Sequence, residues 1–288
     1  MTFASTKALS LAARAGGYAV PAVNIVDQLS LNAVVDAANE AGSPIILQTS
    51  VKTIKVLGAE ELATAAKLAA ARVNVPVALH LDHCPDRAVI TEAIKYGWSS
   101  VLFDASNRDL EQAWAETREV VAEAHAAGVD VESEIENIIG VEDGVGSDTA
   151  VHSYSVDKLI EVATDTGTDL LAPQLGTAHG LYKASPVLLF ERVEQFIAKT
   201  DIPVVLHGGT GLSEEEFHRF IKAGVSKINI STALKLAFLH SALDHLKAAE
   251  QAGKWEPVKL FADQITAMKA TVTEHINLFG SAGKAGKA

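Results

Sequence analysis

Short apolar runs rich in β-branched residues alternate along this chain with longer stretches rich in Ala, Leu, Glu and Lys. The short runs are apolar almost throughout, which is typical of parallel strands covered on both faces. The predicted strands are Tyr18–Ile25, Pro44–Gln48, Pro76–Leu81, Ser100–Asp104, Asp130–Glu134, Leu170–Pro173, Pro203–Leu206 and Lys227–Ile230. The helices predicted between them are Leu29–Ala41, Ala59–Arg72, Arg87–Tyr96, Asp109–Ala127, Val156–Thr166, Pro186–Lys199 and Ser213–Ala223. Eight strands alternating with helices predict an α/β fold, a single (β/α)8 barrel. A doubly wound open sheet is the alternative, less favoured because eight units fill most of the length.

Beyond the last predicted strand the pattern becomes helical, over Ala233–Ala249 and Val258–Leu278. We therefore expect a C-terminal helical extension, with residues 1–279 forming one barrel domain. The low-complexity end GSAGKAGKA, residues 280–288, is expected to be disordered. The stretch 140–155 is long and rich in small and acidic residues, so we expect a mobile loop over an active site.

Composition excludes several classes of protein. The formal net charge of −12 would repel nucleic-acid phosphates, and no apolar run reaches the ~20 residues that span a bilayer. A single cysteine, Cys84, excludes an intrachain disulfide and fits a reducing compartment. The first residues carry Lys7 and Arg14 and lack the apolar core of a secretory signal. We expect a cytoplasmic protein with neither nucleic-acid nor membrane partners.

Polar side chains follow every predicted strand. In a (β/α)8 barrel the catalytic residues come from the carboxyl-terminal ends of the strands and the loops beyond them. The residues at these places are Asn24, Ser50, Asp82, His83, Asp104, Glu134, His179, His207 and Asn229. A plainer interpretation is that loops are polar. It accounts for one such residue better than for three imidazoles and three carboxylates together.

Three of the ten histidines stand apart. His83, His179 and His207 each lie just past an apolar run and beside small residues, in LHLDHC, GTAHG and VLHGGTG. Neutral imidazole is a good zinc ligand, and three protein ligands leave a position open for substrate. The sequence therefore predicts one catalytic divalent metal ion. His80 lies two residues before Asp82 and shares its strand face, where a structural role is as plausible as a catalytic one.

Two segments indicate an anion site. Gly208-Gly209-Thr210-Gly211 follows the seventh strand, and Asn229-Ile230-Ser231-Thr232 follows the eighth and opens a helix. Small residues let backbone N–H groups approach an anion, and the loops after strands seven and eight of such barrels commonly bind phosphate. Each segment alone fits simple turn chemistry, but together they predict a phosphorylated substrate beside the metal.

Six segments carry a resemblance to a known family. They are PAVNI (Pro21–Ile25), ALHLDH (Ala78–His83), SSVLFDAS (Ser99–Ser106), GTAHGLY (Gly176–Tyr182), LHGGTGL (Leu206–Leu212) and KINIST (Lys227–Thr232). They resemble the class II, zinc-dependent ketose-bisphosphate aldolases, which include the fructose- and tagatose-bisphosphate enzymes. The resemblance runs in order from about Ser5 to Thr232, and more loosely to about Leu278.

The resemblance implies a role for each matching position. His83, His179 and His207 match the zinc ligands, and Asp82 matches the acid/base for the C4 hydroxyl proton. Asp104 and Glu134 match residues that bind a second divalent ion, and Asn24 and Ser50 match residues facing the substrate. The groups that match the dihydroxyacetone phosphate site are Gly180, Gly208, Gly209, Thr210, Asn229, Ser231 and Thr232. The resemblance also suggests a homodimer or homotetramer, and we include a monovalent cation among the expected cofactors.

Three departures from the family pattern concern the loop and the far end of the substrate. Glu136 and Ile139 stand where the family usually has glycines, and Val141 stands where it often has Glu or Gln. We therefore assign the loop acid/base to Glu142 as a hypothesis.

The third departure lies in the last helix. Ala262 and Ile265 lie near the positions where a basic residue usually binds the distal phosphate. Lys259 is the nearest cation, and Lys52 is the candidate we name, although a solvated surface lysine is an equally good interpretation of it.

The predicted reaction is reversible cleavage of a ketose (bis)phosphate to dihydroxyacetone phosphate and an aldehyde. One alternative is an aldolase for a ketose 1-phosphate with a different distal group. Another is a different metal-dependent sugar-phosphate enzyme, such as an isomerase or hydrolase. A non-catalytic sugar-phosphate sensor is a third, and the intact Asp82 and three histidines argue against it.

Overall fold

The computed structural model describes residues 3–138, 140–142, 145–147, 152–180 and 186–287. The strands are β1 Val20–Asn24, β2 Ile45–Ser50, β3 Val77–Cys84, β4 Ser100–Asp104, β5 Asp130–Glu134, β6 Gly140–Glu142, β7 Val145–Ser147, β8 Leu170–Leu171, β9 Val204–Leu206 and β10 Val225–Ile230. The helices are α1 Thr6–Gly16, α2 Gln28–Ala41, α3 Val51–Leu57, α4 Ala59–Ala71, α5 Arg87–Tyr96, α6 Leu110–Ala126, α7 Val156–Thr166, α8 Phe190–Lys199, α9 Glu214–Ala223, α10 Thr232–Ala252 and α11 Pro257–Leu278. Ile139 and Tyr182, named in the sequence analysis, lie outside the described residues.

Eight parallel strands of the described chain close into a barrel in the order β1-β10-β9-β8-β5-β4-β3-β2. The closed order confirms the predicted (β/α)8 barrel and rules out the doubly wound open sheet. Strands β6 and β7 stand apart as an antiparallel hairpin that pairs Gly140 with Ser147. The predicted loop 140–155 therefore contains regular structure, and residues 143, 144 and 148–151 lie outside the described residues.

Barrel-facing side chains change character from one end of the barrel to the other. Ala22, Ile46 and Ala78 are in register on β1, β2 and β3, and they pack in one buried apolar cluster. Two residues further along the same strands, Asn24, Gln48 and His80 are in register and buried. Because strand side chains repeat every second residue, the polar layer stands directly above the apolar one. The carboxyl-terminal half of the barrel interior is thus built for polar chemistry.

Helix α1 was not anticipated from the hydrophobic pattern. Ser5 caps it by accepting a hydrogen bond from Ala8 N, and Gly17 ends it in the left-handed conformation. Leu9 and Ala13 of this helix pack into the apolar layer with Val20. Helix α1 therefore closes the amino-terminal side of the barrel, and its Thr6 Oγ1 lies 2.6 Å from Ser100 Oγ. Helix α3, which begins directly after β2, was also missed.

The C-terminal extension consists of α10 and α11, as predicted, and α11 packs against α2 and α10. The residues that follow correct one expectation. We expected disorder over 280–288, whereas Ser281 is buried and its Oγ lies 2.9 Å from Ser43 Oγ. Gly283 N and Ala285 N donate to the carbonyls of Ala41 and Gly42, each at 2.9 Å. Small residues let this segment approach the end of α2 closely, so low complexity here reflects tight packing. No described helix is long and apolar enough to cross a membrane.

Candidate active site

Asp82 and His83 are consecutive residues, yet both belong to the same polar cluster. Regular alternation along a strand would send one of them to the outer face. Strand β3 avoids this with a bulge, because its pairing to β4 shifts between Leu81 and Cys84. His83 has φ +41°, a left-handed backbone that a non-glycine residue adopts at a cost. The bulge and the strained backbone of His83 lie at the end of this strand and bring both side chains to the mouth of the barrel.

Three imidazoles meet at that mouth. His83 comes from β3, His179 from the loop after β8, and His207 from the end of β9, and all three are buried. Their ring centroids lie 4.7 to 5.9 Å apart, and His83 Nε2 lies 2.9 Å from His207 Nδ1. One nitrogen from each ring falls within 4.8 Å of the other two. The structure therefore brings together the three histidines that the sequence selected.

A second group of possible ligands shares His83. Asp104 Oδ2 lies 3.2 Å from His83 Nδ1, and Glu134 Oε2 lies 3.6 Å from the same nitrogen. Burial alone would lower the pKa of His83, but the carboxylates of Asp82, Glu134 and Asp104 raise it well above its usual value. Burial and repulsion from Asp104 raise the pKa of Glu134 well above the ordinary range. Such closely spaced carboxylates favour a bound cation.

Asp82 is oriented by two amides. Asn24 donates to its Oδ2 at 2.8 Å, and Asn229 donates to its Oδ1 at 3.3 Å. Each amide is fixed in turn, because Gln48 Nε2 donates to Asn24 Oδ1 and Lys227 Nζ donates to Asn229 Oδ1, both at 2.8 Å. Burial works against ionisation, yet the cationic partners, His83 first among them, lower the pKa of Asp82 to about 2. Asp82 is thus held as a carboxylate in one orientation.

Beneath the histidines lies an ion pair that the sequence analysis missed. Lys227 Nζ and Glu132 Oε2 lie 2.9 Å apart, and both side chains are fully buried. Glu132 Oε1 lies 2.8 Å from His207 Nε2, which directs the other ring nitrogen of His207 toward His83. Burial opposes a charge on Glu132, but Lys227 and His207 hold its pKa well below the ordinary value. A carboxylate behind a ligating histidine fixes its tautomer and ring orientation.

His80 completes the layer below the site, and the structure gives it a supporting position. Its Nδ1 lies 2.7 Å from Ser100 Oγ, and its Nε2 lies 3.6 Å from Glu132 Oε2. Burial and the nearby charge of Lys227 lower the pKa of His80 to about 3, so the ring is neutral. The sequence left a structural and a catalytic role open, and these contacts favour the structural one.

The two predicted phosphate segments flank the histidines. Gly208, directly after His207, has φ +67°, and a Cβ there would lie 2.4 Å from the carbonyl oxygen of Ala178. Only glycine permits this approach between the two loops that carry His179 and His207. Ser231 precedes the first turn of α10, and its buried hydroxyl has no hydrogen-bond partner among the described residues. A helix amino terminus with a spare hydroxyl is suited to an anion.

The remaining predicted residues divide by position. Gly180 has φ +81° beside His179, and Gly209, Thr210 and Thr232 lie in the two phosphate segments. Ser50 is buried at the end of β2, where it caps α3 by accepting from Thr53 N at 3.2 Å. Lys52 lies exposed on α3, and the backbone of Glu142 lies at the end of β6. Lys52 does not belong to the hydrogen-bonded cluster of described side chains.

The residues at the mouth fit a divalent ion. The donor set of three buried imidazole nitrogens within 4.8 Å of one another is the kind that zinc enzymes use. His83 and His207 each have a carboxylate at the ring nitrogen that does not face the other ring, Asp104 at His83 Nδ1 and Glu132 at His207 Nε2, as metal-binding histidines commonly do. The fold and the site together define a (β/α)8 barrel with a candidate metal centre at its mouth and an ionised carboxylate, Asp82, beside it.

Comparison with known proteins names the family. The family model for "Fructose-bisphosphate aldolase class-II" matches residues 4–284. The chain is 37% identical to the fructose-bisphosphate aldolase of Geobacillus stearothermophilus, covering 99% of each protein. It is 35% identical to the 6-phospho-5-dehydro-2-deoxy-D-gluconate aldolase of Bacillus licheniformis, covering 99% of this chain and 97% of that protein. The crystal structure of a putative fructose-1,6-bisphosphate aldolase from Coccidioides immitis superposes with a TM-score of 0.87 at 29% identity, covering 99% of each chain.

The chain belongs to the class II fructose-bisphosphate aldolase family. It is a lyase, and the activity of this family is the aldol cleavage of ketose bisphosphates. The resemblance found in the sequence motifs is thereby confirmed.

Proposed function

We propose that this enzyme catalyses the reversible, zinc-dependent cleavage of a ketose 1,6-bisphosphate of the fructose or tagatose type. The products are dihydroxyacetone phosphate and an aldehyde. One observation carries the proposal: three buried imidazoles converge beside a carboxylate, Asp82, that two amides orient. His83, His179 and His207 would hold the zinc ion.

When bound, zinc acts as a Lewis acid that polarises the ketone and stabilises the negative charge of the enediolate. Asp82 removes the proton of the C4 hydroxyl, and the C3–C4 bond breaks as the C4 carbonyl forms. The electrons of that bond move into the ketone and give the enediolate of dihydroxyacetone phosphate. In the direction of condensation, Asp82 returns the proton to the new C4 hydroxyl. Asn24 and Asn229 keep the carboxylate aligned throughout.

A second acid/base must protonate C3 of the enediolate before dihydroxyacetone phosphate leaves. We assign this step to Glu142, which lies on the hairpin β6–β7 between β5 and α7. Glu142→Gln tests the assignment. Unchanged turnover of the zinc-loaded variant would contradict it.

The phosphate of dihydroxyacetone phosphate would bind where the loops after β9 and β10 meet. The backbone of Gly208 and Gly209 and the buried hydroxyl of Ser231 support this assignment. The other proposed substrate contacts are Asn24, Ser50, Gly180, Thr210, Asn229 and Thr232. Asp104 and Glu134 would bind a second divalent ion, and a monovalent cation would accompany the phosphate.

Lys52 is the residue that we propose for binding the distal phosphate of the substrate. Lys52 is exposed on α3, which begins at the mouth end of β2. Lys259 instead lines a cleft between α10 and α11. The alternative is therefore an aldehyde product without a phosphate. The sequence identity of this chain to the relative named for a gluconate-type substrate, 35%, is close to its 37% identity to the fructose-bisphosphate aldolase.

A cytoplasmic homodimer or homotetramer is proposed for the assembly, with α10 and α11 as contacts. Leu239, Leu243 and Leu246 on α10 and Trp255 and Phe261 at α11 are exposed apolar side chains that support an interface there. Light scattering on the purified protein measures the subunit number.

The deciding experiment is a panel of ketose phosphates with product identification by NMR. Fructose and tagatose 1,6-bisphosphates and fructose 1-phosphate are compared for release of dihydroxyacetone phosphate. A preference for bisphosphate that Lys52→Ala abolishes and Lys55→Ala retains would place the distal phosphate at Lys52, since both lysines are exposed on α3. Equal rates with the 1-phosphate favour the alternative substrate. Release of inorganic phosphate or an isomerised sugar would contradict aldol cleavage.

A further inference from the structure

A buried ion pair connects three segments around the mouth of the barrel. Glu136, two residues beyond β5, is fully buried, and its Oε1 lies 2.8 Å from Nη2 of Arg192 on α8. Glu136 stands where a glycine was expected from the family pattern. A carboxylate in such a place requires a reason, because its burial costs several kcal/mol unless charge and hydrogen bonds compensate.

The cost of burial is offset by hydrogen bonds, because both side chains bond to the backbone of the same two residues. Tyr154 N donates to Glu136 Oε1 at 2.7 Å, and Gln174 N donates to Oε2 at 3.0 Å. Arg192 donates to the carbonyl oxygens of the same two residues, to Tyr154 O at 2.7 Å and to Gln174 O at 2.8 Å. Each backbone unit is therefore held at its N–H by the carboxylate and at its C=O by the guanidinium.

These contacts tie together the ends of the segment that contains the hairpin. Glu136 precedes the hairpin β6–β7, and Tyr154 follows it. A parallel tie joins the neighbouring residues, because His152 N donates to Asn137 Oδ1 at 3.2 Å. The base of the segment is thus closed by hydrogen bonds on described residues, independently of its tip.

Glu136 and Arg192 also contact the loop that carries His179, a predicted zinc ligand. Gln174 lies in the stretch that leads from the end of β8 to His179. The hairpin packs directly on that ligand's backbone: a Cβ on Gly140 would lie 2.7 Å from His179 O and 2.9 Å from His179 N. Glu136 and Arg192 are thus bonded both to the base of the hairpin segment and to the loop that carries His179.

We propose that Glu136 and Arg192 are a positioning pair that aligns the hairpin carrying Glu142 with the metal site. The inference rests on the proposed function, in which a hairpin carboxylate exchanges the C3 proton. Neither residue touches the substrate, and both act through the backbone of Tyr154 and Gln174. A displacement of about 1 Å in a catalytic group costs on the order of 100-fold in rate, so the pair should matter to proton transfer more than to zinc binding.

The test uses Glu136→Gln in the full-length, zinc-loaded enzyme. Three quantities are measured: bound zinc, kcat and KM for cleavage, and exchange of the hydroxymethyl hydrogen of dihydroxyacetone phosphate with D2O by NMR. We expect wild-type zinc content and KM, with kcat and hydrogen exchange both lowered about 10- to 100-fold. Amide exchange of residues 140–147 should become faster.

Asp169→Asn is the matched control. Asp169 is also a buried carboxylate that accepts from a backbone N–H, of Val131, and from two basic side chains, Lys7 and His125. It precedes β8 at the opposite end of the barrel, so its loss should lower stability while kcat and hydrogen exchange per folded chain stay at the wild-type level.

Two results would overturn the inference. One is a Glu136→Gln enzyme with wild-type kcat and hydrogen exchange, which would make the pair purely structural. The other is a loss of activity that only parallels a loss of zinc. If Glu136→Gln does not fold, Arg192→Lys carries the same test, since lysine keeps the charge but has one nitrogen in place of the separate Nη1 and Nη2 that donate to the two carbonyls. A wild-type enzyme that cleaves no ketose phosphate contradicts the proposed function instead, and the amide exchange of the hairpin still tests the pair.

Discussion

The ion pair inside the barrel gives a sharp prediction about stability. Lys227→Met keeps most of the unbranched side chain but removes the ammonium 2.9 Å from Glu132. It leaves a fully buried carboxylate without its cation, and breaking such a pair costs about 3–5 kcal/mol. Asn229 Oδ1 also loses its donor, which adds about 1 kcal/mol. We therefore expect a loss of roughly 4–6 kcal/mol in the free energy of unfolding.

The assay is urea unfolding at pH 7, followed by tryptophan fluorescence. The first control is the double variant Lys227→Met/Glu132→Gln. Its amide oxygen still accepts from His207, and no lone charge remains, so at least half of the loss should return. The second control is Lys222→Met on α9, an exposed lysine whose loss should change stability by less than about 0.5 kcal/mol.

The pH dependence of the same variant follows from its cause. Burial raises the pKa of Glu132 and Lys227 opposes that rise, so the folded-state pKa is higher without Lys227. The folded variant then binds a proton more readily than the folded wild type does, and its deficit should shrink as the pH falls. A cost below about 1 kcal/mol at pH 7, or a double variant less stable than the single one, would contradict the predicted role of the Lys227–Glu132 pair.

Two further predictions concern single residues near the site. Burial lowers the pKa of His80 to about 3, so below about pH 6.5 only the unfolded chain takes up a proton at this residue, and stability falls by up to about 1.4 kcal/mol per pH unit from there toward pH 3. His80→Asn keeps a polar atom for Ser100 and should flatten this slope when the metal-free proteins are unfolded in urea. An unchanged slope would contradict the assignment. Gly208→Ala should reduce zinc binding and should destabilise the fold by clearly more than the control Gly128→Ala. Gly128 has a similar φ of +71° but open space where a Cβ would lie, so its substitution should cost about 1–2 kcal/mol. Equal losses of stability in thermal unfolding would show that the close approach of Gly208 to Ala178 does not matter.

The fold could be predicted because its signal repeats. Each strand is a short apolar run, and each is followed by a helix, so an error in one element does not change the architecture. The errors occurred where this signal stops. Helix α1 packs under the barrel without belonging to a strand–helix unit, and the tail after Phe279 packs through backbone hydrogen bonds that its composition conceals. Strand β8 is also shorter than predicted, ending at Leu171.

The site could be predicted where residue type alone suggests chemistry. The histidines and Asp82 were recognised in this way, but their geometry depends on a bulge at His83 that no spacing rule indicates. Glu132 and Lys227 were missed although a signal existed. Glu132 lies two residues before Glu134, and Lys227 two before Asn229, so each had to share the inward face of its strand.

Glu136 and Arg192 lie 56 residues apart, and only the fold brings them together. No pattern in the sequence joins α8 to the exit of β5. Glu136 did appear in the sequence analysis as a departure from a family pattern. Its meaning became visible only when its hydrogen-bond partners were known.

The most direct test of the central claim measures zinc content and ketose-bisphosphate cleavage on the same sample. The protein is stripped with EDTA and then titrated with Zn²⁺, beside His207→Ala as the control that lacks one ligand. We expect cleavage to disappear with the metal and to return in proportion to one zinc ion per chain, while His207→Ala recovers little at the same concentration. Full cleavage by the metal-free wild type would contradict it.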